Sequence, residues 1–167
     1  MILKIKFLYF GLLLLLTGGC GVYSFTGAAI DGKTINVHFI ENQARNISPS
    51  LSPTFTEKLR QRILSQTPLS QVNSDQADYD ISGHITSYEV SIASVSGNET
   101  TSKNRLTISV QIHFVNRKNE KAAFDQSFSR FQDFSADQNF QNVESKLIAD
   151  ICDQLADDIF NKAFVNW

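Results

Sequence analysis

Three histidines and a cysteine are the side chains of this sequence with the most obvious capacity for chemistry. His38, His84 and His113 belong to three separate predicted strands, and none has a second ligand at the spacing typical of a metal site. Cys152 falls on the apolar face of a predicted helix, where a cysteine packs as a small hydrophobe. We therefore predict that the protein is not an enzyme and that it has no catalytic residue, no metal ligand and no cofactor.

Basic residues are the one group whose positions suggest binding. If the central strands form an antiparallel meander, Lys103, Arg105 and Arg130 meet near one end of the sheet, while the basic residues of 117–121 fall at the other end. Three cations together could hold the phosphates of an anionic glycolipid, because arginine gives bidentate contacts. We predict a ligand-binding role for the first group; the alternative is an ordinary charged rim.

The N-terminal residues have the features of a secretory signal peptide. Lys4 and Lys6 precede an apolar run over 7–16, which is shorter than the roughly 20 residues that a spanning helix needs. Small residues then lead directly to Cys20, as in the lipobox of bacterial lipoproteins. We predict that residues 1–19 are a signal peptide and that Cys20 carries lipid, the alternative being a plain secretory signal with an incidental cysteine. Residues 20–32 would then form a tether and 33–167 a single domain.

The charge balance bears on the partners. The chain has 15 Lys+Arg and 17 Asp+Glu. Removal of the leader takes away two lysines, which leaves 13 basic residues against 17 acidic ones. A general nucleic-acid binder would show a basic excess, so we predict no nucleic-acid partner.

Hydrophobic periodicity predicts the elements that position these residues. Polar and apolar residues alternate most clearly over 106–114, and the parity of the apolar residues switches within 79–95, which predicts a bulge or bend near 86–89. Strands are predicted over 34–39, 69–72 (short, at an edge), 79–95, 106–114 and 122–131.

Two helices complete the pattern. Ser52 as N-cap and Pro53 at the first helical position begin the first helix, which Pro68 ends. Ser135 with Gln138 has the capping-box pattern at the start of the second, whose broad apolar stripe predicts that it covers a sheet. The fold class is therefore α+β, with a mostly antiparallel or mixed sheet of four to five strands and two helices on one face.

An ordered set of segments gives the chain a family resemblance. These are GCGVYSFTG over 19–27, Pro53 with FTEKL over 55–59, SQT over 65–67, GHITSY over 83–88 and DIFNKAFVNW over 158–167. Together they resemble the LptE family of lipopolysaccharide-assembly lipoproteins, in its Bacteroidetes-type branch, through essentially the whole mature chain.

The resemblance implies an outer-membrane lipoprotein that is held by its N-terminal lipid. No acidic run follows Cys20, and because such a run is a surface-export signal in some lipoproteins, its absence favours the periplasmic side. Such a protein would sit within, and help assemble, the LptD β-barrel that delivers lipopolysaccharide to the outer leaflet. The partners implied are the LptD-type barrel, lipopolysaccharide and the membrane. The alternative is a free-standing, membrane-anchored periplasmic protein that binds lipid or glycan.

Overall fold

The computed structural model describes residues 30–93 and 102–165. The predicted signal peptide, Cys20, most of the tether and the loop at 97–100 lie outside the described residues. In chain order the elements are β1 (Thr34–Val37), β2 (Glu41–Asn42), α1 (Leu51–Gln66), β3 (Ser70–Gln71), β4 (Tyr79–Ala93), β5 (Lys103–Asn116), a short 3-10 turn (Glu120–Ala122), β6 (Phe124–Ser135) and α2 (Phe140–Phe164).

The strands form one mixed sheet of six strands in the order β3-β1-β4-β5-β6, with β2 paired to β4. β1 runs parallel to both β3 and β4, and β2 is also parallel to β4. β4, β5 and β6 form the antiparallel meander. The predicted α+β class and the short edge strand are confirmed, but the strand count of four to five is one too low. The missing strand is β2.

Both helices cover one face of the sheet, here called the helix face, and the opposite face is called the open face. The alternating apolar residues of β5 are all fully buried on the helix face, together with the apolar stripe of α2. The alternate positions of β5 from Lys103 to His113 carry polar side chains toward the open face. Burial of each large side chain contributes roughly 1.5–3 kcal/mol before entropy is subtracted, so this one layer pair forms the core. The buried β5 residues are Leu106, Ile108, Val110, Ile112 and Phe114.

A bulge in β4 keeps its apolar residues on the helix face. Ile85 lies opposite Val110 and Ser87 lies opposite Ser109, so Thr86 is the extra residue. The insertion changes the parity of the strand, and Tyr88 therefore lies on the same face as Ile85. The bend predicted near 86–89 is confirmed.

The start of α2 differs from the prediction. Ser135 is still part of β6, opposite Lys103, because the antiparallel pairing continues to that point. Asn139 is the N-cap instead, and its side-chain oxygen accepts a hydrogen bond from the backbone N–H of Gln141 at 3.0 Å. The Ser135 capping-box prediction is wrong. α1 likewise begins at Leu51, so Ser52 lies inside the helix.

The end of β1 also differs from the strict alternation of the sequence. Ile35 and Val37 are buried, but Phe39 is 56% exposed. The strand ends at Val37, and Ile40 takes the next core position while its backbone N–H donates to Thr56 Oγ1 of α1 at 3.0 Å. A backbone group that the sheet no longer pairs is thus satisfied by a helix side chain.

Candidate functional site

The three predicted ligand-binding cations do not share one face of the sheet. Arg105 lies opposite Asp133 in the β5–β6 register, and Lys103 has the same parity two residues away, so both belong to the open face. Arg130 lies opposite the buried Ile108 and therefore belongs to the helix face. Directly opposed residues share a face of a sheet. The structure thus brings Lys103 and Arg105 together and separates Arg130 from them.

Arg105 is fixed on the open face by two side chains of β6. Its Nε and a terminal nitrogen donate to the two carboxylate oxygens of Asp133 at 2.6 and 2.9 Å. Its guanidinium also lies 3.7 Å from the ring centroid of Phe131. The hydrogen bonds to Arg105 lower the pKa of Asp133, and the same pair raises the pKa of Arg105. The result is a planar cation held between a carboxylate and an aromatic ring.

Arg130 instead ties the last strand to the last helix. Its Nε and a terminal nitrogen donate to both carboxylate oxygens of Asp158 in α2, at 2.5 and 2.6 Å. Hydrogen bonding to Asp158 raises the pKa of Arg130. This bidentate pair crosses the boundary between sheet and helix, so its first effect is to position α2.

The basic residues of 117–121 lie at the opposite end of the sheet, as predicted. Tyr79 pairs with Asn116 at that end, and Ala93 pairs with Lys103 at the other. Thirteen residues of strand separate these two rows, which is roughly 40 Å at about 3.3 Å per residue. Arg117 donates to the backbone oxygens of Asp75 and Ala77 at 2.5 and 3.1 Å.

Asp78 is the centre of a second polar cluster at that far end. Its carboxylate accepts from the backbone N–H groups of Lys33 and Thr34 at 2.7 and 3.1 Å, and Lys118 Nζ lies 2.9 Å from the same carboxylate. These contacts, led by the one from Lys118, hold the pKa of Asp78 well below its ordinary value. The cluster fastens the start of the described chain to the start of β4.

The open face continues from Arg105 along the β5–β6 pair as a ladder of polar contacts. Ser109 Oγ and Ser129 Oγ are 2.9 Å apart. Gln111 donates to Asp125, and His113 Nδ1 lies 3.7 Å from the same carboxylate. The alternation in the sequence predicted which residues of β5 lie on the polar face. Their partners in β6 could be identified only from the register of the two strands. These contacts make the ladder polar and paired across β5 and β6.

A cavity of about 240 Å³ lies where the β5–β6 pair ends, beside the fixed arginine. It is lined by Lys103, Asp133, Phe134 and Ser135. Its lining combines a cation, a carboxylate and an aromatic ring. This is the place where the predicted basic end of the sheet and a surface concavity coincide.

The surroundings of Cys152 and His38 indicate structural rather than chemical roles for both side chains. Cys152 is fully buried, as predicted, and burial raises the pKa of its thiol to about 12, so the thiolate nucleophile is disfavoured. His38 Nε2 lies 2.9 Å from Asp80 Oδ2. Within residues 30–93 and 102–165, no three or more histidine, cysteine or acidic side chains group as metal ligands would. None of the helices in those ranges is both long and apolar enough to cross a membrane.

Solved structures of two bacterial proteins have a similar fold. A minor lipoprotein from Acinetobacter baumannii is similar over 78% of this chain and 91% of its own, with a TM-score of 0.54 and 15% identity. A hypothetical protein from Chlamydia trachomatis is similar over 78% of this chain and 95% of its own, with a TM-score of 0.56 and 10% identity. At these identities the likeness establishes the fold alone.

The family follows from the sequence itself. The profile of LptE, described as lipopolysaccharide-assembly, matches residues 32–163. The chain therefore belongs to the LptE family, as its resemblance predicted. No curated protein matches it.

Proposed function

We propose that this protein is a non-enzymatic subunit of the machinery that transports lipopolysaccharide to the outer leaflet. It is anchored to the outer membrane on the periplasmic side through lipid on Cys20, and it assembles with an LptD-type β-barrel that it plugs. The observation that carries the proposal is the family match over residues 32–163, which spans almost all of the described domain.

The chemistry of the open face supports a position against a barrel wall. Barrels of the outer-membrane type have a polar interior. The open face offers serine hydroxyls and charges that already have partners, such as Arg105 with Asp133. Burial of a paired charge costs less than burial of an unpaired one, so the β5–β6 part of this face can enter a polar lumen with Arg105 and Asp133 still paired.

Contact with lipopolysaccharide is part of the proposal, with a narrower set of residues than the predicted three. Lys103 and Arg105 share the open face and adjoin the cavity at the end of the β5–β6 pair. Arg130 lies on the helix face, away from that cavity, and its guanidinium contacts Asp158 there. We therefore assign the phosphate contact to Lys103 and Arg105.

Binding of purified domain to lipopolysaccharide tests this assignment. The double variant Lys103→Glu/Arg105→Glu should bind more weakly, because each cation–phosphate attraction becomes a repulsion. Lys121→Glu/Lys162→Glu makes the same charge change at exposed positions outside this end of the sheet and should bind like wild type. Equal losses in the two double variants would indicate a general charge effect and refute the assignment. Binding should also weaken as salt rises, since the screening length is about 8 Å at physiological ionic strength.

Co-purification tests the proposed function as a whole. The chain, extracted in mild detergent from native membranes, should elute in a stable complex with a large barrel protein that mass spectrometry identifies as LptD-type. A free-standing lipid or glycan carrier would elute alone. Elution without a barrel from membranes that contain one would contradict the proposal.

A further inference from the structure

The second half of β4 has a free edge. On the side of β4 away from β5, β1 pairs with Tyr79–Ile81 and β2 pairs with His84 and Ile85. Among the described residues, no strand pairs with that side of β4 beyond Ile85. We call residues 89–93 of β4 the free edge.

The backbone of the free edge points outward at two positions. The carbonyl oxygen of Tyr88 accepts a hydrogen bond from Asn46 Nδ2 at 3.3 Å, so the backbone groups of Tyr88 face away from β5. In an antiparallel pair the residues that face away alternate with those that face the partner. The N–H and C=O groups of Val90 and Ile92 therefore point outward as well.

The side chains at these same positions are exposed and apolar. Val90 is 45% exposed and Ile92 is 79% exposed, although both lie on the helix face by register. Ile47, in the loop next to Asn46, is 70% exposed. Native proteins usually protect edge strands with lysine, proline or a covering element. The free edge contains neither lysine nor proline. The same two residues, Val90 and Ile92, have both the outward backbone groups and the exposed apolar side chains.

We propose that the free edge is a strand-addition site that receives an extended segment of the LptD-type barrel partner. The inference rests on the proposed function. In strand addition, main-chain hydrogen bonds supply affinity and alternate side chains supply specificity. Val90 and Ile92 would contribute both their outward main-chain groups and their side chains.

The length of the free edge favours a peptide segment over a second copy of this chain. Five residues of strand extend about 16 Å, and Asn46 occupies the outward side at Tyr88. A contact confined to five residues of one strand buries much less than the roughly 1,200 Å² that a stable interface between two folded copies needs. A single strand can fill it completely.

Charge and position favour the barrel partner. Glu89 and Ser91 belong to the open face, so the free edge is continuous with the surface proposed to meet the barrel. Glu89 is exposed and has no ion pair among the described residues. The segment that fits therefore carries aliphatic side chains opposite Val90 and Ile92, and a basic side chain opposite Glu89.

Two edge variants and one control test the inference in native membranes. Ile92→Pro removes an outward N–H donor but leaves the β5 ladder intact, because that N–H does not face β5. Val90→Lys/Ile92→Lys adds two charges to the free edge without changing a buried residue. Phe39→Lys changes another exposed apolar residue away from the free edge. The barrel recovered with each edge variant should fall about tenfold, while Phe39→Lys should recover as much as wild type.

A photoreactive residue at position 92 gives the direct readout, with position 39 as its control. Position 92 should crosslink to the barrel. Hydrogen exchange of the Ile92 amide should be fast in the isolated domain and slow about tenfold or more in the complex. Circular dichroism checks that every variant folds. If Ile92→Pro does not fold, Val90→Lys/Ile92→Lys alone tests the proposal.

Each alternative result identifies which proposal fails. If the barrel is recovered equally with all variants and position 92 does not crosslink, the strand-addition site is refuted and the proposed function stands. A crosslink from position 92 to a second copy of the chain refutes the site's assigned occupant. If wild type recovers no barrel, both proposals are overturned.

Discussion

At the scale of single residues, Asp78 is the centre of the polar cluster at the far end of the sheet. Its carboxylate accepts hydrogen bonds from the backbone N–H groups of Lys33 and Thr34 and forms an ion pair with Lys118. One side chain therefore joins the start of the described chain, the start of β4 and the turn after β5. Sequence reasoning had no means of finding this cluster, because Asp78 lies 40 or more positions from each of its three partners in the chain. They meet only when β4 pairs with both β1 and β5.

We expect Asp78→Asn to change how stability depends on pH. The folded-state pKa of Asp78 lies well below the ordinary value of 3.8. A depressed folded-state pKa stabilises the protein above the unfolded-state pKa, and that stabilisation is lost as pH falls toward the folded-state value. Wild type should therefore lose urea resistance from about pH 4 downward, whereas Asp78→Asn should start lower and change less.

Urea midpoints measured at neutral pH and on acidification would check this expectation. Asp133→Asn is a matched control, because the pKa of Asp133 is also lowered, chiefly by its hydrogen bonds from Arg105, and Asp133 lies on the open face outside the Asp78 cluster. If Asp78→Asn and wild type showed the same loss of stability with acid, the Asp78 cluster would have no role in acid sensitivity.

At the scale of elements, α2 stabilises the domain by covering the helix face. The sequence predicted its apolar stripe because residues recur at three- and four-residue spacing over seven turns, and the long alternation of β5 was equally clear. Boundaries were harder to predict. β2 has only two residues, which is too short for any period to appear, and Ser135 has capping chemistry that the β5–β6 pairing overrides.

Ile151→Asp should unfold the domain or come close to it. Ile151 is fully buried in the core, and the variant places an unpaired carboxylate there, at a cost of at least about 4 kcal/mol. Asp157→Ala is the matched change on the same helix. Asp157 pairs with Arg62 at 2.5 Å, but both side chains are partly exposed, so the loss should be about 1 kcal/mol or less.

Chemical denaturation followed by circular dichroism measures both changes. An Ile151→Asp variant with a wild-type midpoint would mean that the buried face of α2 is assigned incorrectly. A large loss for Asp157→Ala would mean that the ion pair between the helices, rather than the apolar stripe, holds α2 in place.

At the scale of the whole molecule, the order of the elements was predicted correctly, but the face of the sheet on which each cation lies was not. The meander correctly placed Lys103 and Arg105 far from the basic residues of 117–121. Arg130 lies on the other face because it shares its parity with the buried Phe128 and Phe134 of β6. A shift of one residue moves every side chain to the opposite face, so a prediction from position along the strands alone could not separate Arg130 from Arg105.

Attachment to the membrane is the property that involves the whole molecule, and we expect it to have two parts. In the proposed arrangement the lipid on Cys20 holds the chain to the bilayer and the barrel holds the folded domain. Each buried CH₂ of a lipid chain contributes about 0.8 kcal/mol, so loss of the lipid removes one strong attachment. A contact to the barrel remains, and two linked attachments hold far better than either alone.

Cys20→Ala should therefore leave the domain folded and release it from membranes to an extent that depends on the barrel. Where the barrel is present, part of the variant should still sediment with outer membranes, because the domain remains in the complex. Where the barrel is depleted, the variant should become soluble while wild type stays bound through its lipid. Fractionation of the four combinations measures this directly. If Cys20→Ala were equally soluble with and without the barrel, lipid would be the only attachment, which is the behaviour of a free-standing carrier rather than of a plug.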